Sequence, residues 1–494
     1  MKTLLDSMNP KIFLTNVGAL YAGTLVRTVI SLFTIGLISR YLTLGEFGIY
    51  AMVSAYCIIF KAVSRMGLQP IIVREVSRQP SRADGYFASG LLIVSFLLAI
   101  SYLAMVATFF LFVSSSDVLI FALIMSLGEL LESVGNYFNA FFRAFERMKY
   151  VAYQLFVRES LNLIFVVAVV KVNLGLNGIG LALLSANVIG GVFGYYWVRR
   201  FVSLTLKGNV SQWKYLIKES YPLGIKIIFR KITFRLDTIL LGVLKTKSLA
   251  GLFHGPYRII QKLMFLSEDF TSALFPILSR HAATSREGLE IVYEKSFKFV
   301  AVVAFMFGIT FSLFSRTIIL VVLGQKFLEA VPVLQIMGWV LTLMFMVRLM
   351  EKMLIALRQQ RITTFAAATA LSLNIVLDLT LIPPYGLKGA AIATLFAEVT
   401  MFSMCLYFVC QYVRANILSI LGKPLVAAGI AWAFHVSFQK ENTVFMAVCL
   451  IIYIVVLFIQ GVFKKDEIWI VKDIFSQKLS RIYKRGPLGS LDEA

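Results

Sequence analysis

Tyr221–Leu244 reads YPLGIKIIFRKITFRLDTILLGVL. At about 1.5 Å of rise per residue, this stretch makes a helix long enough to cross a bilayer. Yet it carries Lys226, Arg230, Lys231, Arg235 and Asp237. An unpaired charge near the bilayer centre costs at least about 2.5–3.5 kcal/mol on insertion scales. A spanning helix of this sequence must therefore turn its charges onto protein or onto a water-filled cavity. A mostly cationic cavity inside a membrane handles something anionic.

The rest of the chain is of the same kind. Of 494 residues, 59% are hydrophobic and only 15% charged, with a mean hydropathy of +0.83. These values exclude an ordinary soluble domain and point to an all-α polytopic membrane protein. The net charge of +22 would suggest nucleic acid on a soluble chain. Here it is read as Lys and Arg collected in inner loops, with no nucleic-acid partner. Cys57, Cys405, Cys410 and Cys449 lie in apolar runs without metal-ligand spacing and read as buried small hydrophobes. The first apolar run, 12–39, is too long for a signal peptide and is expected to stay as a helix.

Apolar segments of membrane length are predicted near 11–39, 46–66, 87–113, 118–142, 151–171, 178–199, 221–244, 249–276, 293–315, 330–356, 361–382, 387–412, 418–437 and 443–463. That is about 14. With the N-terminus inside, roughly 32 of the 48 Lys and Arg fall on inner segments, which places both termini in the cytoplasm. Lys61, Arg65 and Arg158 are counted among these inner residues. Arg27, Lys226, Arg230, Lys231, Arg235, Arg258, Lys262 and Arg348 remain within segments 1, 7, 8 and 10, which are expected to line one cavity.

The chain also repeats. Gly175–Ala186, GLNGIGLALLSA, aligns with Gly386–Ala397, GLKGAAIATLFA. A weaker echo sets Gly48-Ile49-Tyr50 against Gly251-Leu252-Phe253. Segments 6 and 12 run in the same direction, so the repeat is parallel, a transporter architecture with its site between the halves. The expected domains are a six-helix bundle over 1–200, a cytoplasmic linker 201–220, a second bundle 221–413 and two extra helices in 414–463. A basic amphipathic tail, 464–485, is expected to lie on anionic lipid. Residues 486–494 contain GPLGS and read as a protease-site tag.

Four stretches carry a family resemblance: Arg40–Tyr50, RYLTLGEFGIY; Met66–Gln69 with Arg74-Glu75; Phe142–Met148, FRAFERM; and Asn374–Ala393. In this order and spacing the chain resembles the Wzx-type flippases. These form the polysaccharide-transport branch of the multidrug/oligosaccharidyl-lipid/polysaccharide exporter superfamily, which also holds the lipid II flippases and the multidrug (MATE) transporters. The resemblance implies two six-helix bundles in a V and alternating access in the bacterial inner membrane. It implies an undecaprenyl-pyrophosphate-linked glycan as substrate, and glycosyltransferases and a polymerase of the same pathway as partners.

Such a substrate needs cations for its pyrophosphate, and Arg supplies two parallel hydrogen bonds and a permanent charge. The candidates are Arg27, Arg230, Arg235, Arg258 beside Tyr257, and Lys262 one turn after Arg258. For Lys226, Lys231 and Arg348 the competing expectation is snorkelling to the inner interface. A second group is oxygen-rich: Asp237, Asn374 and Asp378 four apart on segment 11, and Thr394 at comparable depth. It suits a hard monovalent cation or a proton. The resemblance to the sodium site of lipid II flippases adds the Ala390 carbonyl. The competing expectation is that Asp237 neutralises a cation of its own helix.

Glu129 and Glu132 are further proton-carrier or ion-pair candidates. Tyr21, Tyr56, Asn136, Tyr137 and Asn139 are sugar contacts or helix bridges. No catalytic motif or P-loop is present, so the chain reads as a non-enzyme with no cofactor beyond a possible Na⁺ or H⁺. Three alternatives stay open: a lipid II flippase, a drug/cation antiporter that this cationic lining would disfavour, and a non-transporting scaffold for glycan assembly.

Overall fold

The computed structural model describes residues 10–113, 115–145, 147–203, 210–413, 417–438 and 443–462. The expected tail 464–485, the tag 486–494 and 204–209 of the linker lie outside the described residues, as do the side chains of Tyr21, Lys226 and Arg230. Among the described residues every regular element is helical. In chain order these are α1 (Pro10–Tyr41), α2 (Leu44–Arg65), α3 (Leu68–Arg78), α4 (Ala83–Phe112), α5 (Ser116–Ala144), α6 (Met148–Val172) and α7 (Gly175–Val198). Then come α8 (Val210–Leu244), α9 (Lys247–Thr284), α10 (Arg286–Val322), α11 (Val331–Ala356), α12 (Gln360–Tyr412), α13 (Ile417–Phe438) and α14 (Thr443–Ile459). Each predicted segment falls on one of these helices. Nine helices, counted over the described residues, are long and apolar enough to cross a membrane. The chain is a multi-pass membrane protein.

Local chemistry sets the breaks. Thr43 caps α2 with a reciprocal pair: Glu46 N donates to Thr43 Oγ1 at 3.2 Å, and Thr43 N donates to Glu46 Oε2 at 2.9 Å. Met66 and Gly67, both left-handed (φ 40° and 70°), split the apolar stretch after α2 and start α3. Predicted segments 11 and 12 are the two arms of α12, bent at Gly386, where φ is 53° and Pro383 and Pro384 precede the bend.

The predicted repeat has a backbone counterpart. Gly175, at φ 64°, opens α7, and its sequence equivalent Gly386 opens the second arm of α12 in the same half of φ space. Three residues on, Gly178 lies against Leu174 and Val169, and Gly389 against the backbone of Leu381. Each glycine lets its helix close onto the end of the preceding one. The weaker echo has a geometric meaning. Gly48 and Gly251 touch: a Cβ on Gly251 would sit 2.9 Å from Gly48 N, and a Cβ on Gly48 would collide with the Lys247 carbonyl.

The helices pack as two compact units. The larger comprises Met1–Phe265, Ser315–Met337 and Phe365–Met401. Its interior includes an aromatic cluster, with Phe87 edge-on to Phe141 at 5.1 Å and Tyr137 edge-on to the same ring at 5.4 Å. The smaller unit comprises Leu266–Phe314, Gly338–Thr364 and Phe402–Ala494. Inside it, Tyr453 on α14 donates to the Val302 carbonyl on α10 at 2.9 Å, and Thr342 on α11 donates to Ala304 O at 3.0 Å. Large apolar residues such as Phe33, Phe96, Phe110 and Ile459 are exposed, as a lipid-facing surface requires. Cys410 shares that fate. Three cysteines are buried as expected, but Cys410 is exposed, because its face of α12 looks outward.

Replacing Gly48 by Ala is expected to cost about 1–3 kcal/mol by overpacking at a backbone contact. Gly429→Ala, where nothing lies within 4 Å of the new Cβ, is expected to be neutral. Thermal unfolding of the detergent-solubilised variants checks the contrast.

Candidate functional site

Charged and polar side chains from α1, α2, α5, α6, α7, α8 and α9 converge on one cavity of about 560 Å³ in the larger unit. That lies within the range of about 300–1,000 Å³ typical of ligand sites. Eight cationic side chains line it against three carboxylates: Arg27, Lys61, Arg65, Arg158, Lys231, Arg235, Arg258 and Lys262 against Glu129, Glu132 and Glu159. The expectation of a shared cationic lining therefore holds for α1, α8 and α9.

Four predicted pyrophosphate ligands, Arg27, Arg235, Arg258 and Lys262, face this cavity. None of them has a carboxylate within ion-pair reach among the described residues. Arg235 is 8% exposed. Its Nη2 donates to Gln261 Oε1 at 2.8 Å, while Nε and Nη1 find no acceptor. Arg27 Nε is likewise without one. Arg258 Nη1 donates to the Tyr50 hydroxyl, and its guanidinium lies 5.7 Å from the centre of that ring. Tyr257 is not in the lining. It is buried beneath Arg235, 6.0 Å from ring centre to guanidinium carbon, and acts as a platform. Arg230 lies outside the described side chains.

Two readings change. Lys231 lines the cavity instead of snorkelling, because it sits one turn before Arg235 on the same face of α8. Arg348 belongs to the smaller unit, where its Nη1 donates to Glu351 Oε2 at 2.8 Å.

Sequence reasoning misses part of the lining. Lys61 and Arg65 on α2 and Arg158 on α6 read as inner-loop charges. They instead form a network with Glu129 and Glu132 on α5 and Glu159 on α6. Glu132 is its hub: Lys61 Nζ lies 2.7 Å from Oε2, while Arg158 Nη1 lies 2.5 Å and Arg65 Nη2 3.6 Å from Oε1. Lys61 also pairs with Glu129, and Arg158 Nη2 with Glu159 at 2.9 Å. The signal was present in the sequence. Glu129 and Glu132 are three apart on an apolar helix, and Lys61 and Arg65 are four apart on another.

The second predicted constellation is also assembled. Thr394 Oγ1 donates to Asp237 Oδ2 at 2.7 Å and to the Ala390 carbonyl at 3.0 Å. Asp378 faces Asp237 at hydrogen-bonding range, with Asn374 beside them. Asp237 is 4% exposed, Asp378 0% and Asn374 2%. Asp237 Oδ1 and both oxygens of Asp378 find no donor. The side chains of Lys226 and Arg230, which share the Asp237 side of α8, lie outside those described. A buried carboxylate pair whose oxygens are short of donors fits a bound cation or a shared proton.

Of the suggested sugar contacts, two bridge helices: Tyr56 donates to Thr108 at 2.7 Å, and Tyr137 to the Tyr86 and Phe87 carbonyls at 3.0 and 2.7 Å. Asn136 instead donates to Glu132 Oε1 one turn earlier on its own helix at 3.0 Å, and Asn139 Oδ1 is buried without a donor.

The fold is found among solved transporters. The chain superposes on an inward-closed structure of the lipid II flippase MurJ with a TM-score of 0.70. The match has 14% identity and covers 89% of this chain and 97% of that one. For an inward-facing multidrug resistance MATE transporter of the MOP superfamily the TM-score is 0.67, at 15% identity over 80% of this chain and 98% of that one. In sequence, 207 residues are 26% identical to the probable low-salt glycan biosynthesis flippase Agl15 of Haloferax volcanii, covering 40% of this chain and 43% of that protein. The chain spans less than two thirds of the length of the curated relatives it matches. Residues 13–282, more than half of the chain, match the model of the polysaccharide biosynthesis protein family, and the chain belongs to that family.

Proposed function

We propose that this protein is a flippase. It moves a lipid-linked glycan with an anionic diphosphate linkage from the inner to the outer leaflet of a bacterial cytoplasmic membrane, with both termini cytoplasmic. The observation that carries this reading is the unpaired cationic face of the cavity. In hydrocarbon such charges are tolerated only on a hydrated path, and guanidinium groups lacking carboxylates are available to a phosphate. Arg27, Arg235, Arg258 and Lys262 would hold the diphosphate, and Tyr257 would steady Arg235 from below. An undecaprenyl pyrophosphate carrier fits, because the polyprenyl chain can stay in lipid while the headgroup crosses.

The family match and the flippase relatives support transport over a scaffold role. The cationic lining disfavours a cationic drug as cargo. Asp237, Asp378, Asn374, Thr394 and the Ala390 carbonyl would hold a coupling Na⁺, with H⁺ as the other candidate. A bound cation there would supply the positive charge that the paired carboxylates lack. Glycosyltransferases and a polymerase of the same pathway would deliver and consume the substrate.

Arg235→Gln is expected to cut headgroup translocation in proteoliposomes by at least about tenfold, since a charged hydrogen bond contributes about 1.5–3 kcal/mol. Translocation near the wild-type rate would remove Arg235 from the phosphate site. Exchange of Na⁺ for choline outside the vesicles is expected to slow wild-type transport, and Asp378→Asn to abolish that sensitivity. A rate indifferent to Na⁺ but responsive to a pH gradient would assign the carboxylate pair to protons.

A further inference from the structure

The two walls of the cavity differ in a way that its net charge hides. On the α8–α9 wall, Arg235, Arg258 and Lys262 have no carboxylate partner among the described residues. On the α2–α5–α6 wall, three cations and three carboxylates balance, all drawn together through Glu132. Such a wall is a poor diphosphate site: Lys61 and Arg158 already donate to carboxylates, and those carboxylates repel phosphate. It is a good site for hydroxyl groups, which donate to carboxylate lone pairs and accept from N–H at no net charge. The side chains of the pairs are 12–32% exposed, so their polar edges reach the cavity. Two amides complete this wall. Asn162 Oδ1 has no donor, and Asn187, whose Nδ2 donates to Gly128 O at 3.0 Å, also lines the cavity.

We propose that the Glu132-centred wall, with Asn162, is a glycan subsite that binds hydroxyls of the sugar next to the diphosphate, while the α8–α9 wall takes the diphosphate. This inference rests on the flippase reading above and orients the substrate across the cavity. In it Glu132 offers carboxylate edges to the sugar.

The test measures binding to purified protein in nanodiscs of a short-chain polyprenyl diphosphate, bare and with one hexose attached. Wild type is expected to bind the hexose form about tenfold tighter, the worth of one charge-assisted hydrogen bond. Glu132→Gln combined with Arg158→Gln keeps the wall's charge balance. It is expected to lose that increment while binding the bare diphosphate within about twofold of wild type. Arg235→Gln should weaken both ligands equally. Asn162→Ala, a milder change, should shrink the hexose increment alone, so the subsite stays testable if the double variant fails to fold. A hexose increment that survives in the double variant or in Asn162→Ala would overturn the subsite. So would loss of bare-diphosphate binding in the folded double variant as large as that in Arg235→Gln. Failure of wild type to bind the bare diphosphate at all would instead overturn the flippase reading.

Discussion

Everything in the larger unit answers to one constraint: a charge buried at membrane depth must be neutralised by a partner or kept in contact with water. The two walls of the cavity are the two solutions. Glu132 gathers Lys61, Arg65 and Arg158, and with Glu129 and Glu159 the account closes locally. Arg235, among the described residues, is tethered by Gln261 and the Tyr257 ring. Neither contact cancels its charge.

The carboxylates obey the same rule with opposite sign. Asp237 takes a hydrogen bond from Thr394, Asp378 beside it finds no donor, and no ion pair to either is formed among the described residues. Two α8 residues two positions apart, Arg235 and Asp237, thus serve different neighbourhoods. Arg235 faces the cavity, and Asp237 faces the second arm of α12. Two positions are roughly half a turn at about 100° per residue, so the two charges lie on different faces of α8 and do not cancel each other.

Much of this was legible in the sequence because the bilayer simplifies reading. Apolar length located the helices, and the few charges inside them pointed to Arg27, Arg235, Arg258 and Lys262. The grouping of Asp237 with Asn374, Asp378 and Thr394 followed from matching depth in separate segments. What escaped was direction. Lys61, Arg65 and Arg158 lie near helix ends, where positive-inside reasoning assigns basic residues to loops, and nothing local shows that they turn inward to meet Glu132. For Lys231 the choice between cavity and interface stays open in the sequence for the same reason: which side of a charged helix meets the cavity is decided by its neighbours. Tyr257, a substrate contact by sequence reasoning, lies outside the lining, and its ring faces the Arg235 guanidinium instead of the cavity.

The Gly48–Gly251 contact has a mechanical corollary. At this spot α2 and α9 meet backbone to backbone, and beside it they are held by the Arg258–Tyr50 hydrogen bond and by His254 against the rings of Phe47 and Tyr50. A methyl group on either glycine would have to push the helices apart against those contacts, so the closeness of the crossing is set by leaving two methyl groups out.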